Sequence, residues 1–127
     1  MDKATLVDID IAAGDRVLHI LDAAGFKADV ALWLYSSEFE EWRLVIGTPL
    51  FDLEGAKQAY VRLLSALQAS EPELATSVTI TLVSPKDDLV RGLRRIFGST
   101  KSVHGMRLGG NVVNGVFIER AYVYRIR

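Results

Sequence analysis

Asp15, His19 and Asp22 stand at i, i+4 and i+7 of one apolar-periodic segment. On a helix that spacing puts them on a shared face, opposite Val17, Leu18 and Leu21. A carboxylate–imidazole–carboxylate stripe offers ligands for a divalent ion, or a base beside an orienting acid. A metal site needs three or four convergent ligands, and no spacing identifies a fourth. The plainer expectation is a solvated helix face. His104, the other of the 2 histidines, is the better single candidate for a base. No motif sets a serine nucleophile beside it, and a histidine at a sheet rim is the expectation. A small metal-assisted hydrolase built on Asp15, His19, Asp22 or His104 is the weakest of the functional alternatives.

Other chemistries fail on their own terms. Asp29 with Glu41-Trp42-Arg43 echoes the acid and acid-x-Lys of restriction-type nucleases. Arginine replaces the lysine there, and arginine does not deprotonate to help activate water. Gly98-Ser99-Thr100-Lys101-Ser102 has the composition of a phosphate loop, but it follows a helical segment and precedes a strand, the reverse of what such a loop requires. G-x-S-x-G, H-E-x-x-H and G-x-G-x-x-G are absent. With 0 cysteines there is no disulfide framework, thiol nucleophile or thiolate metal site. No catalytic residue, metal or cofactor is assigned.

Charge is more informative than its total of −1 suggests. Residues 1–85 carry 6 Lys and Arg against 13 Asp and Glu, a net of −7. Residues 86–127 carry 9 against 3, a net of +6. No acid lies between Asp88 and Glu119, where Arg91, Arg94, Arg95, Lys101 and Arg107 fall. Arginine forks suit phosphate and carboxylate oxygens, so these five form a candidate anion or nucleic-acid site. The blander alternative is a solvated helix end whose arginines complement the dipole. A third is contact between the basic half of one copy and the acidic half of another. A pI near 6.1 argues against general polyanion affinity.

These residues need a scaffold. A chain of 127 residues that is 50% hydrophobic fits one domain, residues 1–127, burying about two-thirds of its unfolded surface. The longest apolar run is Val30 to Tyr35, far short of the roughly 20 residues a membrane helix needs. No basic, then apolar, leader opens the sequence, so a cytoplasmic location without membrane contact is expected. Asp10 is expected to cap a helix over 11–24 that Gly25 ends. Val30–Tyr35 and 42–47 form an antiparallel pair of strands closed by Pro49. Asp52 should cap a helix over 54–69. Val78–Leu82 then returns as a strand through a crossover, parallel to a neighbour. Ser84-Pro85 should start a third helix, which Gly98 ends.

Asn114-Gly115 is the preferred type I′ hairpin turn. Folding about it sets Val113 opposite Val116, Leu108 opposite Ala121 and Met106 opposite Val123. The other parity sets Arg107 opposite Tyr122, Gly105 opposite Tyr124, His104 opposite Arg125 and Val103 opposite Ile126. Gly109-Gly110 marks a bend or bulge. The expected class is α+β, order α-β-β-α-β-α-β-β, with a mixed sheet of about five strands. Arg120, Tyr122 and Tyr124, together with Arg107, make a candidate contact face of aromatics and cations. Trp33, Tyr35 and Trp42 are a second such group. The alternative is that a helix covers these rings as core. The leading functional expectation is a non-enzymatic interaction module that self-associates as a homodimer. An anionic ligand or nucleic acid bound by the basic half is the runner-up.

Overall fold

In the computed structural model, described for residues 5–100 and 102–127, the alternation of apolar residues becomes one five-stranded mixed sheet. Helix α1 spans Asp8–Ala23 and leads to the hairpin of β1 (Val30–Ser36) and β2 (Glu41–Gly47). Two short helices, α2 (Leu50–Leu53) and α4 (Leu74–Ser77), flank the long α3 (Ala56–Ser70). Then come β3 (Ile80–Val83), α5 (Asp88–Phe97), β4 (Met106–Val113) and β5 (Val116–Ile126). The strand order is β3-β2-β1-β5-β4. Strand β3 is parallel to β2, as a crossover through α2–α4 requires, and the other neighbours are antiparallel. The class and element order are those expected, with α2 and α4 as unforeseen single turns.

Both faces of the sheet are covered. On one, Ala31, Trp33, Leu44, Ile46, Tyr122 and Tyr124 pack under α1 and α3. On the other, Val30, Leu32, Val45, Ile118 and Val123 pack under α5. Burial of β1 on both sides explains why Val30–Leu34 is apolar at every position rather than at alternate ones. The charge split of the sequence thus becomes spatial. The acid-rich α1 lies on one face of the sheet, and α5 with its arginines on the other.

Several caps differ from expectation. Helix α1 starts three residues early: Val7 is the N-cap, and the Asp10 carboxylate accepts from the Val7 N–H at 3.4 Å. Gly55, at φ +88°, occupies the N-cap of α3. Asp52 instead accepts from Ser84 Oγ at 2.7 Å, tying α2 to the end of β3. Asp87, not Ser84, caps α5, accepting from Leu89 N at 3.0 Å and Val90 N at 3.4 Å.

The hairpin register holds from Val113↔Val116 outward to Met106↔Val123. Asn114 (φ +49°) and Gly115 (φ +79°) make the left-handed pair of a type I′ turn. The ladder stops at Met106, so the expected pairings of Gly105, His104 and Val103 do not form. Beyond Val123 a bulge in β5, between its partners Ala31 and Leu32, inserts one residue. It leaves both Tyr124 and Arg125 interacting with the α1 side.

The hairpin tip docks on α5. A Cβ on Gly92 would lie 2.6 Å from Val113 Cγ1 and 2.7 Å from Asn114 Cβ. Asn114 Nδ2 donates to Asp88 O at 2.8 Å. Alanine is the better helix former by about 1 kcal/mol, yet Gly92→Ala is expected to destabilise by about 1–3 kcal/mol through overpacking. A denaturation midpoint unchanged or raised in Gly92→Ala would refute that close approach.

Candidate functional site

Helix α1 and the segment leading into β4 bring the sequence candidates together. Asp15, Leu18, His19, His104, Tyr124 and Arg125 line a cleft of about 280 Å³. His104 Nε2 lies 3.4 Å from Asp15 Oδ1, and its ring meets Tyr124 edge-on at 5.8 Å between centroids. The stripe on α1 is divided between two partners: Asp15 faces His104, while Asp22 is taken by Arg125. Arg125 Nη1 and Nη2 each donate to Asp22 at 2.8 Å, and Nη1 also reaches Ala28 O at 3.2 Å. Among the described residues no three His, Asp or Glu side chains are placed to hold a metal ion.

The Arg125 fork holds the Asp22 carboxyl below its ordinary value, chiefly through the hydrogen bond. A carboxyl depressed in the folded state adds stability that is present above its unfolded value. That stability disappears as pH falls through the folded value. Asp22→Asn is therefore expected to cost stability at pH 7 and less at about pH 3, because the contribution fades as the carboxyl takes up its proton. Urea unfolding at both pH values checks this, and an equal cost at both would refute it.

Tyr122 and Tyr124 are not a surface. They are 8% and 4% exposed, packed in the core on the α1 side of the sheet. The Tyr124 hydroxyl donates to Ile11 O at 2.7 Å and accepts from Trp33 Nε1 at 2.8 Å. Burial pushes its phenol above the ordinary range. Arg107 lies over the Tyr122 ring, 5.1 Å from its centroid. The contact face expected of Arg120, Tyr122 and Tyr124 is thus corrected for its two rings, because the sheet needs them as core. Arg120 and Arg107 remain exposed beside Trp42, whose indole N–H is buried without an acceptor among the described residues.

The five-residue basic cluster also divides. Arg91, Arg94 and Arg95 project from α5, while Arg107 contacts Tyr122 on the opposite face of the sheet. Lys101 lies outside the described residues. The three arginines of α5 are exposed and have no acidic partner among the described residues. By contrast Arg16, Arg43, Arg62 and Arg125 are each paired with a carboxylate.

The edge of the last hairpin carries an exposed apolar pair. β4 is an edge strand, and Gly109, Gly110, Asn111 and Val112 are all exposed. Val112 is 68% exposed and its cross-strand partner Phe117 61%. Phe117 also borders an apolar cleft of about 250 Å³ with Leu34, Phe39, Val45, Leu89 and Ile118. Val112 and Phe117 pair as the hairpin register requires, and their apolar type carries no sign of this exposure.

Among the described residues no helix is long and apolar enough to cross a membrane. No protein family, curated protein or solved structure matches the chain.

Proposed function

We propose that this chain is a non-enzymatic interaction module that self-associates through β4. The observation that carries the reading is the outer side of β4, which no strand pairs among the described residues, beside two exposed apolar side chains, Val112 and Phe117. An uncovered edge of this kind pairs readily with another strand. A second copy supplies a matching strand with no rearrangement, in the commonest symmetry of oligomers. Charge does not oppose the pairing along the edge itself: Arg107 is the only charged residue of β4. The groups that could do chemistry support the same reading. The Tyr124 hydroxyl is occupied on both sides, Arg125 is held by Asp22, and Asp15 and His104 have no nucleophile assigned beside them.

Sedimentation at about 100 μM in moderate salt is expected to give a dimer, weakening on dilution. Val112→Lys places a cation on the edge, the device natural sheets use against pairing. It should shift the protein to monomer while leaving its circular dichroism unchanged. A wild-type monomer at that concentration, or a Val112→Lys dimer as tight as wild type, overturns the proposal.

A further inference from the structure

Self-pairing of β4 has a consequence for the unpaired arginines of α5. A twofold that sets a strand antiparallel to its own copy stands perpendicular to the sheet. The faces of the two sheets therefore stay on the same side, and both α5 helices cover one face of a continuous ten-stranded sheet. Within each copy α5 sits beside that edge: Gly92 abuts Val113 and Asn114, and Asn114 bonds Asp88 O. Leu89, Val90 and Leu93 are buried against the sheet, leaving Arg91, Arg94 and Arg95 outward.

We infer that the dimer carries one continuous basic surface, built from both α5 helices, that docks on the phosphodiester backbone of a nucleic-acid duplex; this rests on the self-association proposed above. Among the described residues no carboxylate pairs with these arginines, and their forks match phosphate oxygens. Exposed Ser99 and Thr100 follow directly and add hydroxyl donors. A duplex fits better than a lipid surface because Leu89, Val90 and Leu93 of α5 are buried in the core, which leaves Ile96 as the one exposed aliphatic side chain of the helix, too little for insertion. The acid-rich face of the sheet points away, which orients the molecule and explains how a chain of pI 6.1 can hold a cationic face. Like charges also meet across the twofold, so the duplex and the dimer must favour each other. Duplex binding relieves the repulsion, and dimerisation supplies the second set of cations.

The test uses the full chain and a fluorescent DNA duplex of about 20 base pairs, with salt titration as the principal readout. Wild type is expected to bind as a dimer, with affinity falling about 1000-fold between roughly 50 and 200 mM salt. Added duplex should tighten the dimer in sedimentation. Arg94→Glu with Arg95→Glu should abolish duplex binding yet leave the dimer intact or tighter, and Arg94→Gln with Arg95→Gln should weaken binding without reversing charge. Val112→Lys adds a cation but should lose at least tenfold in duplex affinity and about half the salt slope. A dimeric wild type that ignores the duplex overturns this inference and leaves self-association standing. A monomeric wild type that binds the duplex through Arg94 and Arg95 overturns both. Binding of phosphatidylserine vesicles in preference to the duplex overturns the choice of ligand.

Discussion

Replacing Gly14 with alanine is expected to lower the melting temperature by about 10 °C, the equivalent of roughly 3 kcal/mol for a domain of this size. Helix propensity alone predicts the opposite, a gain of about 1 kcal/mol. The difference lies in what Gly14 faces. It sits in the middle of α1, where a Cβ would collide with Tyr124 Oη and lie 2.7 Å from Tyr124 Cζ and 2.9 Å from Trp33 Nε1. Neither ring can retreat, because both are buried between α1 and the sheet. Moving α1 outward would open the contacts of Ala13, Val17, Leu18 and Leu21 with the core. Overpacking of about 1–3 kcal/mol and weakening of a buried hydrogen bond of about 1–3 kcal/mol together exceed the propensity gain. Thermal unfolding by circular dichroism decides it, and a Gly14→Ala protein at least as stable as wild type would refute the close approach.

Gly14 also shows how far local pattern reaches. Within an otherwise apolar helical stripe, a glycine signals close approach by another element. Which element approaches depends on the β5 bulge that turns Tyr124 toward α1, and no periodicity announces that bulge. The hairpin register was legible because Asn114-Gly115 admits one turn type and the alternation around it admits one pairing. The expected pairing runs past Met106 because alternation carries no signal for where a ladder ends. Helix starts shifted for a related reason. Asp10, Asp52 and Ser84 are all competent caps, but Asp10 turns back on the Val7 N–H while Asp52 and Ser84 bond to each other. The candidate cleft was legible by residue type, since Asp15, His19 and His104 were all singled out. Its assembly was not, because 89 residues separate Asp15 from His104. The basic residues divide by parity: Arg107 contacts Tyr122 on the α1 side of the sheet, while α5 packs on the other face.

Tyr124→Phe is the companion prediction, with an expected loss of about 2–3 kcal/mol. The phenol closes a relay in which Trp33 Nε1 donates to Tyr124 Oη and Tyr124 Oη donates to Ile11 O. Removing one oxygen strands the indole N–H of β1, and water has poor access under the helix, while the Ile11 carbonyl keeps its intrahelical bond. Leaving such groups unsatisfied costs more than a typical hydrogen bond contributes. The cavity left is small, because phenylalanine keeps the ring in place. The sharper result is the coupling with Gly14. The oxygen lost in Tyr124→Phe is the atom nearest the Cβ that Gly14→Ala introduces. The double variant should therefore be more stable than the two single losses predict, with a coupling of at least about 1 kcal/mol. Equilibrium unfolding of the four proteins in one cycle measures it. Strict additivity would mean that the two sites do not share this contact, and that the glycine in α1 answers to something other than the Trp33–Tyr124 pair.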